Sequence, residues 1–149
     1  MTTELNTVRV TRRFTASPER VFDAWLDPTR IRTWMLAPSK DDEILRIEID
    51  ARVGGAFSFL VRRQGQEIDH FGEYLEIDRP RRLAFTFDAV DGPRAAVDKG
   101  KRSSIVRIDL VRVGSGTELT LTHERVPAEY ASRTESGWST ILDAIAASA

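Results

Sequence analysis

Polar and apolar positions alternate with a period of two along most of this chain and switch to a helical period at two places. Asn6–Thr15 sets Val8, Val10 and Phe14 on one face, with Thr7, Arg9, Thr11, Arg13 and Thr15 on the other. Period two with β-branched residues is the pattern of a half-solvated strand. Ser17-Pro18-Glu19 then supplies an N-cap, a proline for the first helical position and an early acid. Val21, Phe22, Trp25 and Leu26 follow as one apolar face. Asp27-Pro28 repeats the capping signal and predicts a second short helix through Ile31, Trp34 and Met35.

Beyond the loop Leu36–Glu43 the strand period returns. Leu45, Ile47 and Ile49 alternate with Arg46, Glu48 and Asp50, and after a turn at Arg52–Gly55, Phe57, Phe59 and Val61 share a face. Gln64-Gly65-Gln66 reads as a tight hairpin connection. The next strand is expected near Asp69–Ile77, with Gly72 a bulge or a close backbone approach. Arg79-Pro80-Arg81 turns the chain into Leu83–Phe87, where Leu83, Phe85 and Phe87 alternate. Ala89–Arg102, holding Gly, Pro and basic residues, reads as a mobile loop and a place for a pocket lid or a partner contact. Strands are expected again at Ser104–Arg112 and Thr117–Glu124, joined by Gly114-Ser115-Gly116. Hairpin-length links make sequential strands antiparallel neighbours. Past Pro127, Trp138, Ile141, Leu142 and Ile145 recur at helical spacing, which predicts an amphipathic helix from about Glu135. The order is strand, two helices, six strands, helix. The fold class is α+β: a curved antiparallel sheet whose apolar face is covered by the long C-terminal helix. With no composition break or repeat, residues 1–149 are read as one domain.

Composition narrows the chemistry. The chain has no cysteine and two histidines, with 22 basic against 23 acidic residues. Cysteine-ligated metals, thiol nucleophiles and disulfides are excluded. A net charge of -1 is not that of a general nucleic-acid binder. The longest uncharged run, Val53–Val61, falls far short of the ~20 residues that span a bilayer. Met1–Val10 lacks an apolar signal segment, so a cytoplasmic protein is expected.

The segment Arg13-Phe14-x-Ala16-x-Pro18-Glu19-x-Val21-Phe22-x-Ala24-Trp25-x-x-Pro28, followed by Trp34, resembles the opening of activator of heat-shock protein 90 ATPase homologue domains. So do Gly54-Gly55-x-Phe57, Gly72-x-Tyr74-x-Glu76-Ile77 with Pro80-x-x-Leu83, Gly116-Thr117-x-Leu119-Thr120-Leu121-Thr122-His123, and Gly137-Trp138-x-x-Ile141-Leu142. The likeness runs from about residue 8 to 145. It implies the START-like helix-grip fold, also found in polyketide cyclases, pathogenesis-related plant proteins and lipid carriers. The eukaryotic namesake is a co-chaperone with a further N-terminal domain, and these 149 residues are read as one grip without it.

A sheet gripping a helix encloses a cavity wherever the two do not meet, and ligand pockets are mostly apolar with a few polar groups. The expected lining is Trp34, Phe57, Phe59, His70, Tyr74, Phe85, Phe87, Leu121, His123, Trp138, Ile141 and Leu142, and the rival reading is that these side chains are plain core. His123 continues the inward face of Leu119 and Leu121, where an imidazole can orient a ligand or exchange a proton. Its rival role is a bond to a backbone carbonyl at the strand end. His70 shares a face with Gly72 and Tyr74, so His70 and the Tyr74 hydroxyl are candidates for the same wall. No His-x-Glu or i, i+4 His pair suggests a metal site, and Gly114-Ser115-Gly116 lacks the context of a nucleophilic serine. Arg79, Arg81 and Arg82 read as solvated charge, and Lys99-Gly100-Lys101 as a solvated basic tip.

The leading expectation is a non-catalytic domain holding a hydrophobic or aromatic small molecule, without cofactor or metal. Beside it stand a cyclase- or hydrolase-like enzyme using His123 and Tyr74, and a co-chaperone or stress-response interaction module acting on a chaperone ATPase, with a protein partner or a second copy of the chain.

Overall fold

In the computed structural model, which describes residues 5–35, 41–91 and 104–148, Ser17 caps the first helix by accepting from the amide of Arg20. Pro18 takes the first turn, and α1 spans Pro18–Ala24. Asp27 does the same for α2, Pro28–Met35, its carboxylate accepting from the Thr29 amide at 2.9 Å. These two short helices follow β1, Leu5–Phe14. The remaining strands are β2 (Glu43–Ile49), β3 (Ala56–Arg63), β4 (Gln66–Asp78), β5 (Arg82–Asp91), β6 (Ser104–Val113) and β7 (Gly116–Pro127). A short 3₁₀ turn, Ala128–Tyr130, leads into α3, Ala131–Ser148.

The strands form one antiparallel seven-stranded sheet in the order β1-β7-β6-β5-β4-β3-β2. The expected meander accounts for β2 to β7, and β1 closes the order by pairing with the last strand. Gln64 and Gly65 both have positive φ, 51° and 82°, the geometry of a two-residue hairpin turn that follows the twist of the sheet. Gly72 is the close approach that its position in β4 suggests. A Cβ built there meets the Thr86 carbonyl oxygen at 1.8 Å and the Phe57 ring at 2.8 Å.

The concave face and α3 close over Val21, Phe22, Ile31, Leu83, Ile108, Leu119, Leu121, Leu142 and Ile145, all essentially inaccessible. Arg12 of β1 ties α3 down, donating to the Ser139 hydroxyl at 2.5 Å and pairing with Asp143 at 3.5 Å.

Several element ends differ from the sequence pattern, β7 among them, which runs to Pro127 rather than ending at Glu124. The helix α3 begins four residues before Glu135, because its first turn carries no large apolar residue for the period to register. Strand β4 begins at Gln66, directly after the hairpin, and β5 runs on to Asp91, so Ala89–Asp91 belongs to the sheet. The rest of the expected Ala89–Arg102 loop, with Lys99-Gly100-Lys101, lies outside the described residues. The basic cluster at the β4–β5 turn is solvated but each member has a carboxylate partner: Arg79 with Asp23, Arg81 with Asp78 and Arg82 with Asp109.

Candidate functional site

The interior of the grip is nearly filled. Trp25, Trp34, Phe57, Phe59, Tyr74, Phe85, Phe87 and Trp138 surround a residual void of about 10 Å³, no more than a single water occupies. Their rings meet edge to face or tilted, with centroids 5.0 Å apart for Phe57–Phe59 and 5.4 Å for Phe57–Phe85. The indole N–H of Trp25 has no hydrogen-bond partner among the described residues, whereas that of Trp34 donates to the Ala24 carbonyl at 2.9 Å.

At one end, sheet and helix part into a cleft of about 310 Å³. Helix α2 contributes Trp34 and Met35, α3 contributes Arg133, Thr134, Gly137, Trp138 and Ile141, and the sheet contributes Arg63, His70, Phe87, Ala89 and His123. Trp34, Phe87 and Trp138 line both spaces and form the partition between them. Phe87 is central to the cleft, its ring 5.8 Å from Trp138, 6.0 Å from His123 and 6.1 Å from His70.

Of the twelve residues expected to line a pocket, six reach this cleft: Trp34, His70, Phe87, His123, Trp138 and Ile141. Phe57, Phe59, Tyr74 and Phe85 border only the small inner void, because their own rings fill the space they were expected to frame. Leu121 and Leu142, both 0% exposed, border neither and are core. His70 and Tyr74 share a face of β4 but not a wall. Four residues of strand separate them by about 13 Å, which puts one in the cleft and the other in the packed interior. The pattern gave no sign of Arg63, Arg133 and Thr134, which have no apolar-face signature, and it places Met35 only in the second helix and Ala89 in a loop suited to a lid. Gly137 stands in the recognised Gly137-Trp138 pair, but nothing in the pattern assigned it to the wall.

The protons around His123 are assigned by its neighbours. Trp138 Nε1–H can only donate, and it donates to His123 Nδ1 at 3.0 Å. Ser104 Oγ–H donates to the Phe87 carbonyl, so Ser104 Oγ accepts from His123 Nε2–H at 2.9 Å. His123 is therefore the neutral Nε2–H tautomer, with both nitrogens engaged. Burial pulls its pKa down to about 4. The expected backbone bond is replaced by a relay: the imidazole reaches the Phe87 carbonyl through the Ser104 hydroxyl.

His70 has a different arrangement. Its Nδ1–H donates to the Phe59 carbonyl at 3.3 Å, which leaves Nε2 as an acceptor. Burial is the main cause that lowers its pKa, with the Arg63 charge adding to it and the Phe59 bond, Asp69 and Asp42 opposing. Burial also raises the pKa of Tyr74. Arg63 is held at the rim by Asp42, whose Oδ2 accepts from Nε at 2.9 Å and Nη2 at 2.7 Å. Asp42 is itself buried. Arg133 lies 5.8 Å over the face of Tyr130. Among the described residues no group of three or more His, Asp or Glu gathers as a metal would require, and no helix is long and apolar enough to cross a membrane.

Residues 15–149 match the family model described as Activator of Hsp90 ATPase homolog 1-like protein. Among solved structures, protein CV1439 from Chromobacterium violaceum is 32% identical with a TM-score of 0.79, the match covering 95% of each chain. Mll3558 from Rhizobium loti is 25% identical over 99% of each chain, also with a TM-score of 0.79. CalU16 from Micromonospora echinospora is 27% identical, covering 97% of this chain and 84% of its own, with a TM-score of 0.64. Comparison with curated proteins finds no match. Family and fold are consistent with a ligand-binding domain.

Proposed function

This chain belongs to the Activator of Hsp90 ATPase homolog 1-like family, and from that premise we propose that it is a non-catalytic binding domain that takes a hydrophobic or aromatic small molecule in the cleft between sheet and C-terminal helix. The observation that carries the reading is Gly137. It sits inside α3, where glycine costs roughly 1 kcal/mol relative to alanine, and a Cβ built on it meets nothing within 4 Å among the described residues. Packing therefore gives no reason for the missing side chain, while the cleft it borders gives one. Around it the walls are Trp34, Phe87, Trp138 and Ile141, with few polar groups, and the volume of about 310 Å³ matches the lower end of ligand clefts, roughly 300–1,000 Å³.

The enzyme reading puts its acid–base chemistry on His123 and Tyr74. His123 offers no free lone pair, since Trp138 occupies Nδ1, and Tyr74 borders the inner void. That pairing of residues supports a fixed polar strut in the wall better than a catalytic couple.

The test is native mass spectrometry with a panel of apolar and aromatic metabolites, alongside the fluorescence of Trp34 and Trp138. A stoichiometric adduct with a saturable fluorescence change is expected. Gly137→Leu projects a side chain into the cleft and should abolish the adduct while circular dichroism shows the fold retained. A panel that leaves the wild-type fluorescence unmoved, or an adduct that survives in Gly137→Leu, would refute the reading.

A further inference from the structure

The polar groups of the cleft are selective in kind. Two guanidinium groups, Arg63 and Arg133, and one hydroxyl, Thr134, line it, and none of the twelve lining residues is acidic. The buried carboxylate of Asp42 takes two N–H groups of Arg63 and balances one of the two positive charges. Arg133 has no ion-pair partner among the described residues, and its recorded contact is the Tyr130 ring. The Trp138 donor and burial hold His123 neutral, and burial lowers the pKa of His70 against the opposing Phe59 bond, so at neutral pH neither adds charge. The result is an aromatic wall of Trp34, Phe87 and Trp138 with one positive charge beside it that no described residue compensates.

We infer that the preferred ligand of the cleft is a small aromatic carboxylate, its ring laid against the wall formed by Trp34, Phe87 and Trp138 and its carboxylate on Arg133, with Arg63 adding donors. This rests on the cleft being a ligand site, and goes beyond it by fixing the ligand's charge. A guanidinium presents paired N–H groups that match a carboxylate's two oxygens. A neutral amide of the same shape lies against the aromatic wall equally well but leaves the positive charge unanswered.

The experiment compares 2-naphthoic acid with 2-naphthamide by isothermal titration calorimetry at neutral pH. The acid is expected to bind about tenfold more tightly, the difference that one hydrogen-bonded charge contact makes. Arg133→Gln, on an exposed position, should bring the acid down to the amide's affinity and leave the amide unchanged, with an unaltered melting temperature. Arg63→Gln is the less clean variant, because it strips the partner from buried Asp42. Equal affinity of acid and amide for the wild-type protein would overturn the charge inference and leave the apolar cleft standing. A preference for the acid that persists in Arg133→Gln would overturn the role of Arg133. Failure of both compounds to bind, together with a metabolite panel that also fails, would overturn the cleft as a ligand site and this inference with it.

Discussion

Protonating His123 in the folded protein sets two donors against each other, because Trp138 Nε1–H already points at Nδ1. The unfolded histidine takes its proton near the ordinary 6.5, the folded one only near 4. A base with a depressed folded pKa contributes stability that is complete above the unfolded value and lost as pH falls toward the folded one. The expected loss between pH 6.5 and 4 is roughly 3 kcal/mol, at about 1.4 kcal/mol per tenfold difference in proton affinity. Urea denaturation at pH 7 and at pH 4.5 measures it. His123→Gln, which can still accept from Trp138 and donate to Ser104, should flatten that part of the profile, and an unchanged profile would mean the imidazole is not the titrating group. At this scale the sequence was informative about direction and silent about partners. Alternation with Leu119 and Leu121 correctly turned His123 inward. Its partners Ser104 and Trp138 lie 19 and 15 residues away in sequence, and no local pattern connects them.

Two glycines separate the demands on the elements. In α3, Gly137→Ala adds a methyl group to open space and should stabilise the protein by about 0.5–1 kcal/mol, seen as a higher urea midpoint with the same slope. In β4, Gly72→Ala drives a methyl group into the Thr86 carbonyl and the Phe57 ring. Relief requires β5 to shift, and overpacking of this kind costs about 1–3 kcal/mol or more. A lower midpoint, or insoluble protein, is the expected result, and a neutral effect would show that the sheet yields there at no cost. Element type was readable almost throughout, since Ser17-Pro18 and Asp27-Pro28 announce their helices and each strand alternates. Element ends were less so. The first turn of α3 and the outer ends of β4 and β5 carry too few apolar residues to establish a period, and pairing and packing with neighbouring elements rather than local pattern extend them.

For the whole molecule, a ligand that binds only the folded state stabilises it by mass action, about 2.7 kcal/mol at a hundred times its Kd. For a chain of this size that corresponds to a rise in melting temperature of about 5–10 °C. An aromatic acid that binds the cleft should therefore raise the thermal transition measured by scanning fluorimetry, and should do so less in Arg133→Gln. The α+β class, the order of the elements, the sheet-on-helix arrangement and the family were all legible in the chain, because capping residues and hydrophobic periods are local and the recognised motifs keep their spacing across nearly its whole length. The position of the cleft was not. Inward-facing residues of a grip look alike in sequence, and only side-chain volumes in three dimensions decide which of them meet. Here eight aromatic rings meet and fill the centre, while at the Gly137 end sheet and helix do not close. The absence of cysteine and the scarcity of histidine limited the chemistry from the outset. Only the tertiary structure brought Arg63 of β3 and Arg133 of α3, far apart in sequence, to one cleft, since charge recognition depends on proximity in space.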